Sequence, residues 1–218
     1  PFIEYLTTKG FVVVGHDHLG HGQSIINKDD LGYFGEPDPS YLLIQDIHKM
    51  REIAQKKYPN LPYFICGHSM GSYLLRQYIC DYSNGLAGII IMGTGYMSPC
   101  ESLLSLGFLN LMACLKGMRH RSKISKKISI EMGPYKKYDN TRKDVNNSWI
   151  SRDPEIVKKY YEDKNCQFDF TINGFYGLVQ AIRYCCNPSN VAKIKKDIPI
   201  LFVSGDNDPV GNNGEGVK

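Results

Sequence analysis

Ser69 lies at the centre of Gly67-His68-Ser69-Met70-Gly71, between the apolar run Tyr63-Phe64-Ile65-Cys66 and the helix-like run from Ser72 to Ile79. A strand, then G-x-S-x-G, then a helix predicts a nucleophile elbow. The bend is so tight that its central residue takes a strained backbone conformation and holds its hydroxyl clear of the sheet. A side chain larger than hydrogen at Gly67 or Gly71 is expected to collide with the neighbouring strand or helix. The N-terminus of the following helix aims its free N–H groups at whatever carbonyl Ser69 attacks.

A second candidate lies far along the chain. The apolar run Pro199 to Val203 leads into Ser204-Gly205-Asp206-Asn207-Asp208-Pro209-Val210. A carboxylate in a loop after a late strand suits the acid of a Ser–His–Asp relay. Asp208 is the better candidate than Asp206, since it lies three residues beyond Gly205 and Pro209 stiffens the loop behind it. Both are also ordinary turn-forming residues. The six histidines (16, 18, 21, 48, 68 and 120) all precede Asp208. His16, His18 and His21 invite a metal reading, but no partner beyond Asp17 has suitable spacing, and none is expected to hold a metal.

These residues need a scaffold. Phe2 to Lys9 reads as a helix end capped by Gly10, and Phe11 to Gly15 as a parallel strand buried on both faces. Leu43, Ile47, Met50 and Ala54 recur at helical spacing within Tyr41 to Tyr58. Strand 63–66, a helix to about Tyr82, strand 86–92 and strand 200–203 follow. Strands alternating with helices imply a parallel sheet covered on both faces. The alternation breaks between Tyr96 and Lys196, which reads as a helical insertion over the C-terminal edge of the sheet. The expected division is therefore 1–95 core, 96–196 insertion and 197–218 core again.

Composition narrows the class. At 218 residues with 42% hydrophobic and 22% charged content, the chain suits one globular domain with an insertion. Seven cysteines without a C-x-x-C pair argue against a disulfide framework or zinc site and for a reducing compartment. The net charge of +4 is uneven: Cys100 to Lys196 carries +9 and the remainder −5. Solvated helix faces explain that charge, and so does attraction to an anionic lipid surface. Nucleic acid is disfavoured, because no aromatic-interleaved basic motif accompanies the charge.

Three motifs in this order resemble the monoacylglycerol lipase and lysophospholipase branch of the α/β-hydrolases. They are His16-Asp17-His18-Leu19-Gly20-His21-Gly22-Gln23-Ser24, similar to that family's D-x-x-G-H-G-x-S loop, the elbow itself, and Gly205 to Val210. The resemblance implies an α/β-hydrolase fold: a mostly parallel central sheet with helices on both faces and a helical cap at 96–196. It implies hydrolysis of a single acyl ester, with Ser69 as nucleophile, Asp208 as triad acid, the Met70 backbone N–H as an oxyanion donor and no cofactor. It also implies an oxyanion loop upstream of residue 1 and a catalytic histidine beyond Lys218, so residues 1–218 alone are expected to be an inactive fragment.

The cap would select the substrate. Leu103, Leu104, Phe108, Leu111 and Met112 could line an acyl site or lie at a lipid interface, with Lys116, Arg119, Arg121 and Lys123 facing head groups. An ordinary cap helix packed on the sheet fits them equally. Trp149, Phe168, Phe170, Phe175 and Tyr176 are further pocket candidates. The expected partner is a lipid-like ester, met in the cytoplasm or at a membrane surface. A thioesterase, a serine peptidase and a binding protein that kept the elbow remain open, because the same triad serves all the enzymes.

Overall fold

The computed structural model describes residues 2–122, 134–139, 141 and 143–217. Its centre is a three-stranded parallel sheet of β1 (Phe64–His68), β2 (Gly88–Met92) and β3 (Ile200–Val203), in the order β1-β2-β3. The helices are α1 (Phe2–Thr8), α2 (Pro39–Lys57), α3 (Met70–Tyr82), α4 (Pro99–Lys116), α5 (Pro154–Glu162), α6 (Ile172–Cys185) and the single turn α7 (Pro188–Val191). This is a mixed α/β fold with a parallel sheet flanked by helices, and extra helices fall between β2 and β3.

Register decides what the sheet presents. His68 pairs with Met92, and Met92 with Val203, so the three strands end side by side. The residues that follow them, Ser69, Gly93 and Ser204, therefore leave one edge together. In open parallel sheets that carboxyl edge is where ligands bind.

Each neighbouring helix has a local cause. Asp38 caps α2 by accepting from Tyr41 N–H, and Pro39 fits the first turn, where its missing N–H costs nothing. Helix α3 lays Leu74, Leu75, Tyr78 and Ile79 against Ile89 and Ile91 of β2 and Leu43 and Ile44 of α2. Burying each such side chain contributes about 1.5–3 kcal/mol. Ser98 and Glu101 form a reciprocal capping box that starts α4. Asn173, 1% exposed, ties α6 to the loop before α2: its Oδ1 accepts from Phe34 N at 2.8 Å and its Nδ2 donates to Gly35 O at 2.7 Å.

The structure corrects the expectation for Phe11 to Gly15. Among the described residues no ladder pairs them, and Phe11, Val12 and Val14 are 56%, 47% and 43% exposed. A β-branched apolar run supplies propensity, whereas a strand also requires a neighbour for its N–H and C=O groups. On β1 and β3, Phe64, Leu201 and Phe202 are likewise about half exposed, at 54%, 56% and 48%.

Candidate active site

Ser69 joins β1 to α3 with φ 53° and ψ −121°. A non-glycine residue at positive φ is strained, and it persists only where the surroundings over-determine it. Here they do. Ser69 N–H donates to Met92 O on the neighbouring strand at 3.0 Å. Ser69 O accepts from Ser72 N at 2.8 Å and Ser72 Oγ at 2.6 Å, locking the first turn of α3. A Cβ on Gly67 would strike the Gly71 carbonyl and come within 2.9 Å of Leu75 Cβ, so strand and helix approach as closely as expected. The matching expectation for Gly71 fails: a Cβ there meets nothing within 4 Å among the described residues. Met70 is the first residue of α3, where a backbone N–H has no intrahelical acceptor.

The two acids of the last loop part company. Asp206 is exposed and ion-pairs with the exposed Arg152. Asp208 is half-buried; its Oδ1 accepts from Val210 N at 2.9 Å, and its own N–H donates to Gly205 O at 3.2 Å. The other oxygen, Oδ2, lies beside Gly93, 3.5 Å from where a Cβ would stand. His68 borders the same point, with Cδ2 and Nε2 at 3.4 Å. Gly93, at φ +59°, is the residue after β2 and bonds through its N–H to Val203 O at 2.9 Å. Asp208 thus stands at the strand end that also holds Ser69 N–H.

The sequence reading missed three contributors. Gly93 leaves room for both His68 and Asp208. Gly95, where a Cβ would lie 2.9 Å from the Tyr73 hydroxyl and also strike the Val210 carbonyl, seats the acid loop. Tyr135 has its phenol pushed up to about 12 by burial and then by the Asp208 charge, which places the two near each other. Gly-Thr-Gly after a strand was a visible signal for close backbone approach; Tyr135 had none.

The remaining histidines are engaged elsewhere. His48 Nδ1 lies 3.0 Å from Tyr78 Oη, and its ring stacks on Tyr82. His120 is exposed. His16 and His18 meet edge to face, and burial, then the charges of His16 and His21, brings His18 down to about 4. His21 stacks on Phe34 and meets the Phe168 and Phe170 edges. Asp17 binds within its own loop, accepting from Gln23 N–H at 2.9 Å. Among the described residues, no group of three or more His, Cys, Asp or Glu side chains is arranged to hold a metal ion.

The substrate candidates fall in different places. Phe170 and Phe175 touch, with ring centroids 5.6 Å apart, in a cluster with Phe34 and His21. Leu104 is 69% exposed on α4, and Phe108 is half-buried. A cleft of about 520 Å³ runs between α2, α3 and α6, past Gln77, Tyr176 and Gln180, and contains neither Ser69 nor any of Leu104, Phe108, Phe170 and Phe175. Arg119 and Arg121 are exposed, and both also bond to the loop at residues 29–31. Arg119 pairs with Asp30 at 2.7 Å and lies over the Tyr33 ring, while Arg121 donates to Asp29 O and Leu31 O. Lys123 lies outside the described residues.

The chain is similar in sequence and fold to known proteins. A carboxyl esterase from Bacillus coagulans, solved in complex with glycerol, is 33% identical with a TM-score of 0.85; the match covers 99% of this chain and 68% of that one. The monoglyceride lipase homolog of monkeypox virus is 31% identical over 110 residues, half of this chain and 36% of that protein. A monoacylglycerol lipase of Mycolicibacterium smegmatis is 25% identical over 211 residues, 91% of this chain and 61% of that protein. The chain thus spans only part of the length of the curated relatives it matches. One family model, described as serine aminopeptidase, S33, matches residues 1–218 throughout. With the elbow at Ser69 and the acid loop at one edge of a parallel sheet, the chain belongs to this S33 family of α/β-hydrolases and is kin to monoacylglycerol-lipase-like esterases.

Proposed function

We propose that the protein is a serine carboxylic-ester hydrolase acting on a single-acyl lipid, such as a monoacylglycerol or lysophospholipid. The observation that carries this reading is the strained Ser69, braced by Met92 O at the strand end where Asp208 stands. Ser69 Oγ attacks the ester carbonyl, and its proton passes to a histidine acting as general base. Asp208 orients that histidine and stabilises its charged form. The Met70 N–H donates to the oxyanion; one such donor is typically worth about 2.7–4 kcal/mol in the transition state. Water then releases the acyl group, and no cofactor enters. Residues 96–196 act as the cap, with Leu104, Phe108, Phe170 and Phe175 meeting the acyl chain. The names of the monkeypox and mycobacterial relatives support the substrate class. The enzyme works in the cytoplasm and meets its lipid at a membrane surface.

Labelling of the full-length protein with a fluorophosphonate probe tests the nucleophile. Wild type should label and Ser69→Ala should not; equal labelling would overturn the assignment. p-Nitrophenyl esters of increasing chain length test the substrate, with no gain in rate beyond acetate counting against a lipase. The family description names an aminopeptidase, which gives a peptidase reading its own support. Turnover of aminoacyl amides exceeding that of esters would decide for it.

A further inference from the structure

A glutamine amide carries one acceptor oxygen and two N–H donors, and a buried one is expected to satisfy both ends. Two glutamines depart from this. Gln77 on α3 is 5% exposed; its Nε2 donates to Ser40 Oγ of α2 at 3.3 Å, and its Oε1, closed to solvent, has no donor among the described residues. Gln180 on α6 is half-buried, and its Oε1 is likewise closed to solvent and without a donor among the described residues. Exchanging the two ends of the Gln77 amide only changes which of them bonds Ser40. Both glutamines line the cleft of about 520 Å³ between α2, α3 and α6. Small-molecule sites span about 300–1,000 Å³ and combine apolar walls with a few convergent polar groups.

We infer that this cleft is a binding site for an uncharged polyol the size of a monosaccharide, held through the amides of Gln77 and Gln180. The inference does not rest on the hydrolase reading.

The walls select against charge. Asp38 accepts from Tyr41 N–H at 3.1 Å, and Asp81 accepts from Tyr184 Oη at 2.8 Å and faces Lys193 Nζ at 3.6 Å. Arg183 Nη1 donates to Ser102 Oγ at 3.4 Å. Each charged side chain among the described lining residues therefore has a partner already. A carboxylate or ammonium would enter without a free counter-charge and lose its hydration. Tyr41, Tyr82, Tyr176 and Tyr184 also line the cleft. Tyrosine offers an apolar ring body and a polar tip, which suits the interleaved C–H and O–H groups of a polyol. A hydroxyl both donates and accepts, so it can meet an amide at either end. The terminal torsion of glutamine is broad, so each oxygen can turn to a ligand hydroxyl without moving its helix.

Isothermal titration of the full-length protein with glucose, gluconate and glucosamine tests the site. Glucose should bind saturably with a dissociation constant of about 1–10 mM, and the two charged analogues at least about tenfold more weakly. No saturable glucose binding, or a preference for either charged analogue, would overturn the inference. Gln77→Met and Gln180→Met keep the side-chain length and remove the unmet oxygen, and each should weaken glucose binding by at least about tenfold. Gln180→Met should also leave the urea unfolding midpoint unchanged or raised, because an unpaired buried oxygen opposes folding. A lowered midpoint would make that amide structural and count against the site. Glucose binding that survives both substitutions, or that disappears in Ser69→Ala, lies elsewhere on the protein and refutes the assignment.

Discussion

The elbow edge and helix α4 are built on opposite terms. At the elbow, Ser69 is fixed on several sides, by Met92 O across the sheet, by Ser72 behind it and by the contact of Gly67 with α3. On α4, Leu103, Leu104, Leu111 and Leu115 are 59–69% exposed, and the buried positions are Ser102 and Leu109. One region spends its contacts on holding a single unfavourable conformation. The other keeps large apolar side chains uncovered. Among the described residues, a fixed backbone geometry and uncovered apolar surface are therefore segregated, the first at the strand ends and the second on α4.

The largest expected effect falls on the rigid side. Asp208→Asn should lower kcat of the full-length enzyme by about 10⁴-fold, as loss of a triad acid does. Asp206→Asn, which breaks only an exposed pair with Arg152, should leave kcat within about twofold, since exposed ion pairs contribute little. Steady-state ester hydrolysis reads both, and the reverse ranking would transfer the acid role to Asp206.

Denaturant unfolding gives the next contrast. Gly67→Ala should cost about 1–3 kcal/mol, because its Cβ overpacks against Leu75 and the Gly71 carbonyl. Gly71→Ala should be neutral or stabilising by up to about 1 kcal/mol, as alanine is the better residue inside a helix with open space around it. Equal losses at both positions would show that the elbow is crowded on the Gly71 side as well.

The smallest effect on stability is expected on α4. Leu104→Ser should change unfolding free energy by no more than about 0.5 kcal/mol, because the side chain is largely exposed. If Leu104 meets acyl chains, the same variant should raise KM for long-chain esters and leave acetate esters unchanged. An unchanged KM across the ester series would remove Leu104 from the substrate site.

Much of this architecture could be read before folding. The runs at 63–66 and 200–203 became β1 and β3, and the helix expected to end near Tyr82 ends there. Local pattern sufficed because each run had its partner. Phe11 to Gly15 had the same composition and formed no strand, since pairing is a property of neighbours. Arg51 was equally hidden from pattern. It is 6% exposed inside α2, donating to Tyr82 O and Asn84 O at the far end of α3.

From sequence alone came the strained serine and the short menu of acids, because glycine spacing and turn chemistry act over a few residues. Sequence alone favoured Asp208 over Asp206; that Asp208 lies beside Gly93, more than a hundred positions away, and Asp206 beside Arg152 was visible only in the fold. The reach of Arg76 to Thr94, Gly95 and Cys186 likewise required α3 and the loop after β2 to fold against the end of α6. Short-range sterics write themselves into neighbouring letters; long-range electrostatics depends on which distant segments the packed sheet and helices bring into contact.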